Sequence, residues 1–265
     1  MPARSWSQEW EEGAAIPLPI PFSGLAKVAA APWGEDFYFL DDQALEVAAI
    51  DREGRRLNRY GGWGTGSLSL DMPVCLALAE NSVFVLDQGK YQILRLDARL
   101  NPIVTTPLPA DWLPLTFIRD ARQRFWIAFE GQSGLYLYDD EGVLVDVVAD
   151  EASGTAVVLQ PTLLAVGSSG VAVLDPFEAV IYLFHLSGQP IRRLAITARQ
   201  PVLSMVWAGD KLLLTTGNEL LEVDLMNGRI GPLHKYSGVV DLAYRFPTLF
   251  GLDPTGILRV FRPSP

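Results

Sequence analysis

Residues 74–101, VCLALAENSVFVLDQGKYQILRLDARLN, carry the reading of the fold. Three apolar runs stand in this stretch, VCLALA (74–79), VFVLD (83–87) and ILRLD (93–97), each only five or six residues long. They are rich in Val, Leu and Ile and are separated by turn residues, ENS in one gap and QGKYQ in the other. Runs this short, bounded by turn chemistry, predict β-strands joined by hairpins. No helical period is sustained here or elsewhere, and helix-favouring pieces such as RDARQR (119–124) are too short to stand alone.

Outward from this stretch the same unit recurs. An apolar run ending in an acid appears as FYFLDD (37–42), VFVLDQ (83–88), FWIAFE (125–130), VAVLDP (171–176) and LFGLDP (249–254), with a degenerate member, LLLTTG (212–217). Asp41 and Asp253 lie five intervals apart, a repeat of about 42 residues. A second strand-like run follows each, entering a turn: LEVAAIDREG (45–54), ILRLDARLN (93–101), LYLYDDEG (135–142), IYLFHLSG (181–188), LLEVDLMNG (220–228) and the terminal ILRVF (257–261). Another run opens each repeat: LAKVAAA (25–31), VCLALA, LTFIRD (115–120), TLLAVG (162–167), LSMVWA (203–208) and VDLAYR (240–245). A weaker fourth run closes most of them.

Four short strands every 40-odd residues predict an all-β, six-bladed propeller of four-stranded antiparallel blades in a single domain, 1–265. The blades fall at about 24–64, 73–108, 114–150, 161–198, 202–237 and 239–262. The last repeat holds only three strands, so a strand within residues 5–18 is expected to join it and close the ring, since an open edge is otherwise left unpaired.

The stretch GGWGTGSLSLDMPVCLALAENSVFVLDQGKYQILRLDARLN (61–101) resembles an NHL repeat, the unit of many six-bladed propellers. The glycine-rich loop Gly61–Gly66, Pro73, the strand ending at Asp87 and the strand ending at Asp97 carry the resemblance. Lys90 stands where the family has asparagine, while the fifth blade keeps the asparagine (Asn218) and has Thr215 in place of the acid. The resemblance implies a six-bladed propeller, and bacterial proteins that resemble it are often exported. The first residues, MPARSWSQEWEEG, show no export signal, and the compartment is left open.

The net charge of −10 argues against nucleic acid and anionic membranes as partners. The basic runs DREGRRLNR (51–59) and RDARQR (119–124) read as solvated loop charge. The uncharged segment AVVLQPTLLAVGSSGVAVL (156–174) is broken by Pro161, Gly167 and Gly170, so it reads as two buried strands rather than a membrane span. The one cysteine, Cys75, reads as a small buried hydrophobe.

Chemistry is less legible. YGGWGTGSLSLDMP (60–73) has no following helix and no Lys-Ser or Lys-Thr pair, so its glycines serve an inter-blade crossover and not a phosphate. Asp41, Asp42, Asp87, Glu130, Asp175 and Asp253 end the second strands; turn capping explains them, and a calcium site built from Asp41, Asp87, Asp175 and Asp253 is the alternative. His185 and His234 are too few for a three-histidine zinc site, and His185 occupies a turn position that is aspartate in other blades. No serine sits in a G-x-S-x-G elbow, and GSSG (167–170) reads as a hairpin turn.

Trp63, Lys90, Tyr91, Trp112 and Phe177 fall in loops of one face and are the expected partner anchors, with folding back over the blade tops the equal alternative for the aromatics. The expectation is therefore a non-catalytic binding module that engages a protein or carbohydrate, with no cofactor. The alternative is a calcium-dependent hydrolase resembling the lactonase-like propellers, with a carboxylate site in the central channel.

Overall fold

The computed structural model describes residues 10–18, 26–64, 66, 69–151, 157–196, 200–235 and 238–264. Two short N-terminal strands come first, β1 (Trp10–Glu12) and β2 (Ile16–Pro17). Blade one follows as β3 (Ala26–Ala30), β4 (Phe37–Asp41), β5 (Glu46–Ile50) and β6 (Arg56–Gly61). Blade two is β7 (Pro73–Ala79), β8 (Ser82–Asp87), β9 (Gln92–Asp97) and β10 (Pro102–Pro107). Blade three is β11 (Pro114–Arg119), β12 (Phe125–Phe129), β13 (Leu135–Tyr138) and β14 (Leu144–Val148). Blade four is β15 (Leu163–Gly167), β16 (Gly170–Asp175), β17 (Val180–Phe184) and β18 (Pro190–Ala195). Blade five is β19 (Ser204–Ala208), β20 (Lys211–Thr215), β21 (Glu219–Asp224) and β22 (Ile230–Lys235). Blade six has β23 (Asp241–Arg245), β24 (Thr248–Leu252) and β25 (Ile257–Pro263).

Every blade is an antiparallel meander in chain order, giving a six-bladed propeller with no helix among the described residues. Blade six is completed from the other end of the chain: β1 pairs antiparallel with β25 (Trp10 opposite Pro263, Glu12 opposite Phe261), and β2 pairs with the same strand further along (Ile16 opposite Leu258). Glu12 holds Arg259 at 2.8 Å across this seam.

The alternation of each strand assigns its side chains to two neighbours. Phe37 and Phe39 of β4 pack toward blade six with Phe250, Leu252 and Leu258. Tyr38 and Leu40, one residue along, pack toward blade two with Val83, Val85 and Leu94. A sheet covered on both faces needs apolar residues at every position, which is why β4, β5, β8, β12, β13, β16 and β17 are buried end to end. The outer strands face solvent and read weakly in the sequence for that reason, as RLNRYG and PIRRLA do.

The segment 156–174 supplies β15 and β16, joined by a tight turn that sets Gly167 opposite Gly170. The glycine-rich run leads from outer strand β6 to inner strand β7. Gly61 has φ +94°, and a Cβ there would lie 2.3 Å from the carbonyl oxygen of Leu45, so only glycine fits.

One basic run departs from expectation. Arg119, the last residue of β11, is fully buried rather than solvated. Its guanidinium lies over Phe84 and Phe125, 4.6 and 4.8 Å from the ring centroids, and pairs with both oxygens of Asp140. The residue ends an inner strand at the interface of blades two and three, where a planar cation stacks between rings.

Candidate active site at the mouth of the central channel

The six innermost strands, β3, β7, β11, β15, β19 and β23, surround a central cavity of about 200 Å³. Each is entered by a crossover from the previous blade. Because blades are antiparallel, the end where β3 begins is also the end where β4 finishes. Crossovers and second-to-third-strand turns therefore share one face, and side chains near the starts of inner strands line the channel mouth on it.

A polar group collects there, one or two residues from each contributing blade. Lys27 of β3 faces Asp241 of β23, Nζ to Oδ1 at 3.6 Å, across the seam between first and last blades. Asp241 is 5% exposed, and its other oxygen accepts the backbone N–H of Val28 at 2.7 Å. Asp241 is the chief reason that the Lys27 ammonium is held above its ordinary value of 10.5, outweighing burial; Cys75 adds to it. Ser204 of β19 accepts the N–H of Leu242 at 3.2 Å. Cys75 of β7 has its Sγ 3.7 Å from Thr116 Oγ1 and 3.7 Å from the carbonyl oxygen of Phe117. All of these residues line the same cavity.

Cys75 thus corrects the expectation of a simple buried hydrophobe: it is half-buried and lines the channel. An apolar strand inside a blade and one beside the channel look alike in sequence, because the difference lies in the ring. Lys27 and Asp241 were not among the expected site residues. The available signal was a charged residue near the start of an otherwise apolar first run, LAKVAAA and VDLAYR.

The second-strand acids accept largely from backbone, while Asp41 keeps one buried oxygen without a hydrogen-bond partner among the described residues. Asp175 accepts from Leu159 and Gln160 in the incoming crossover (2.8 and 3.0 Å) and from Phe177 and Glu178 in the next turn (3.0 and 3.2 Å). Asp87 accepts from Asp71 and Met72, and Asp41 from Gln43 and Ala44. Asp253 accepts from Thr255 and Ile257 and lies 3.2 Å from Arg259. Asp175 clips its turn to the crossover, Asp87 holds the crossover, and Asp41 and Asp253 cap their own turns. Among the described residues no group of three or more His, Cys, Asp or Glu side chains is placed to hold a metal ion. The acids expected for calcium therefore do not form a donor set that fits it.

The loop aromatics divide. Trp63 is 82% exposed and Phe177 69% exposed, on crossovers and turns of different blades. Trp112 packs on Phe129 and Tyr136, with ring centroids 5.8 and 5.1 Å away, and lies half-buried against the core between blades two and three. Tyr91 adopts φ +50° at the end of its turn, and the Lys90 ammonium donates to the carbonyl oxygen of Ser69 at 2.5 Å, tying the turn to the crossover. His185 is an exposed turn residue whose N–H donates to Gln189 O and whose carbonyl accepts from Gly188, the backbone pattern that Asp51 makes with Arg55 and Gly54. His234 lies on the outermost strand β22.

Ring and channel define the class, a six-bladed β-propeller with a polar group at the channel mouth of its loop face. No protein-family model matches the chain, and no curated protein matches its sequence, so the NHL likeness stands as a resemblance of one blade. Solved structures do match in fold. A streptogramin B lyase is 12% identical, with a TM-score of 0.69 over 97% of this chain and 99% of that one. A virginiamycin B lyase from Staphylococcus aureus is 14% identical, with a TM-score of 0.65 over 93% of this chain and 83% of that one. A catalytically inactive form of the virginiamycin B lyase, with one histidine replaced by alanine and quinupristin present, is 12% identical, with a TM-score of 0.66 over 96% and 99%. At these identities the likeness is one of fold. These three neighbours carry lyase names, which counts against the expectation of a non-catalytic binding module.

Proposed function

We propose that the chain is an enzyme acting on a small carbonyl-bearing molecule at the channel mouth, with Lys27 presenting positive charge to the reacting oxygen. The observation that carries this reading is the Lys27–Asp241 pair inside a channel cavity of about 200 Å³. A lysine held above its ordinary pKa by a carboxylate is a fixed cation rather than a base. In a partly dehydrated cavity such a cation stabilises negative charge developing on a carbonyl oxygen. Asp241 positions it, because one oxygen is fixed by Val28 while the other faces the ammonium.

The matching lyases support an enzyme of this architecture. The inactive lyase lacks a histidine, whereas here His185 sits on an exposed turn and His234 on an outermost strand, so the proposed chemistry rests on other groups. No step is assigned to a metal.

The test is turnover of a panel of lactones and esters, quinupristin included, by the whole chain with and without EDTA. Turnover that survives EDTA and falls by about 100-fold or more in Lys27→Met, the usual effect of losing a charge-stabilising donor, is expected. Absence of turnover, turnover unchanged in Lys27→Met, or activity lost to EDTA and restored by calcium overturns it.

A further inference from the structure

A second cavity, of about 310 Å³, opens on the loop face between blades four and five. One wall is Leu174, Pro176 and Ala179, from the end of β16 and its turn; the other is Ile196, Pro201 and Val202, from the crossover leading to β19. Among the described residues of the lining, Gln200 supplies the one polar side chain. Its Oε1 accepts from Asn218 Nδ2 at 2.5 Å. Phe177 follows Pro176 in the turn and stands 69% exposed, extending the apolar surface at the rim.

This cleft adjoins the channel. Leu174 on its wall is the direct cross-strand partner of Leu163, which lines the channel, and paired strands are about 4.8 Å apart. Val202 on the opposite wall is two residues before Ser204 of the channel mouth. The β15–β16 pair and the entry to β19 therefore contribute to both cavities. The volume is at the small end for ligand pockets, room for a side group rather than a whole drug-sized molecule.

We infer that this cleft is a specificity pocket for an aliphatic acyl group of the substrate, whose carbonyl stands at the channel mouth and whose chain lies between blades four and five. The inference rests on the enzymatic reading above and names its substrate class. An aliphatic chain fits because the described residues of both walls are apolar apart from Gln200.

The test is a binding titration of the whole chain with straight-chain alkanamides from acetamide to octanamide, followed calorimetrically. Affinity is expected to rise about fourfold with each added methylene until the cleft is full, then level. Val202→Trp fills the cleft and is expected to flatten the series to the acetamide level; Ile196→Trp is the second variant should the first fail to fold. An affinity independent of chain length, or a chain-length series unchanged in both folded variants, overturns the inference. Lys27→Met separates this from the enzymatic reading. A chain-length series retained there, with no ester turned over by the parent protein, leaves the pocket standing and removes the chemistry. Ester turnover with no dependence on acyl length does the reverse.

Discussion

Replacing Asp241 probes the ring seam and the channel mouth together. Asp241→Ala leaves the buried N–H of Val28 without its 2.7 Å acceptor, a loss of about 1–3 kcal/mol. It also strips Lys27 of its partner; the lysine side chain is 28% exposed and the separation 3.6 Å, so this part is worth about 1 kcal/mol and not the full value of a buried pair. A total of about 3 kcal/mol corresponds to a fall in Tm of about 6–12 °C for a domain of this size. Asp241→Asn retains an oxygen for Val28 and is expected to lose only the charge contribution, about 2–4 °C. Thermal unfolding followed by tryptophan fluorescence reads both.

The pH dependence has a definite sign. The folded-state pKa of Lys27 is raised, so the stabilisation from its charge is fully present below its ordinary 10.5 and is lost as pH rises through the folded value. The gap between parent and Asp241→Asn is therefore expected to be constant near neutrality and to close in alkali. An Asp241→Ala protein that melts within about 1 °C of the parent refutes the reasoning, as does a gap that stays open above the Lys27 titration.

Further outcomes follow from other parts of the fold. Deleting residues 1–18 removes β1 and β2, exposes the edge of β25 and is expected to give an aggregating or much less stable protein; a truncated chain with the parent Tm refutes closure at this seam. Gly61→Ala, at φ +94° and against the Leu45 carbonyl, is expected to cost about 2–4 kcal/mol in urea unfolding, while Gly66→Ala, with open space around it, stays within about 0.5 kcal/mol. Asp120 is held below its ordinary 3.8: burial opposes this, but Trp126 Nε1, the Arg124 N–H and the Arg124 guanidinium outweigh it. Its stabilisation is present above that ordinary value and lost as pH falls through the folded one, so Asp120→Asn is expected to be destabilised at neutral pH and to match the parent in strong acid by denaturant titration.

The strands and turns were legible because their signals are local. FYFLDD, VFVLDQ and VAVLDP each carry a buried strand and a closing aspartate; Asp41 and Asp175 cap their own turns in the structure, whereas Asp87 accepts from Asp71 and Met72 of the incoming crossover. His185 was readable as a turn residue because it substitutes for aspartate in a repeated position. Arg119 was not legible as a buried cation, because its partners Phe84 and Asp140 come from different blades. Trp112, a loop aromatic in the sequence, is half-buried against rings that arrive from β12 and β13. The absence of a catalytic motif suggested a binding module because a motif is a spacing along the chain. Lys27, Cys75, Thr116, Ser204 and Asp241 have no such spacing; each comes from a separate blade.

By itself the sequence determined the number of blades, the meander within each, the need for an N-terminal strand to complete the last, and the role of the glycines at 61–66. These depend on alternation, on turn chemistry and on a repeat of constant length, all properties of neighbouring residues. Only the tertiary structure decided which side chains meet at the axis. Ring closure brings Lys27 and Asp241, 214 positions apart, to 3.6 Å, and sets the cleft at Leu174 and Val202 beside the channel. Whether an inner-strand residue faces a neighbouring blade or the central cavity is settled by the radius and closure of the whole ring.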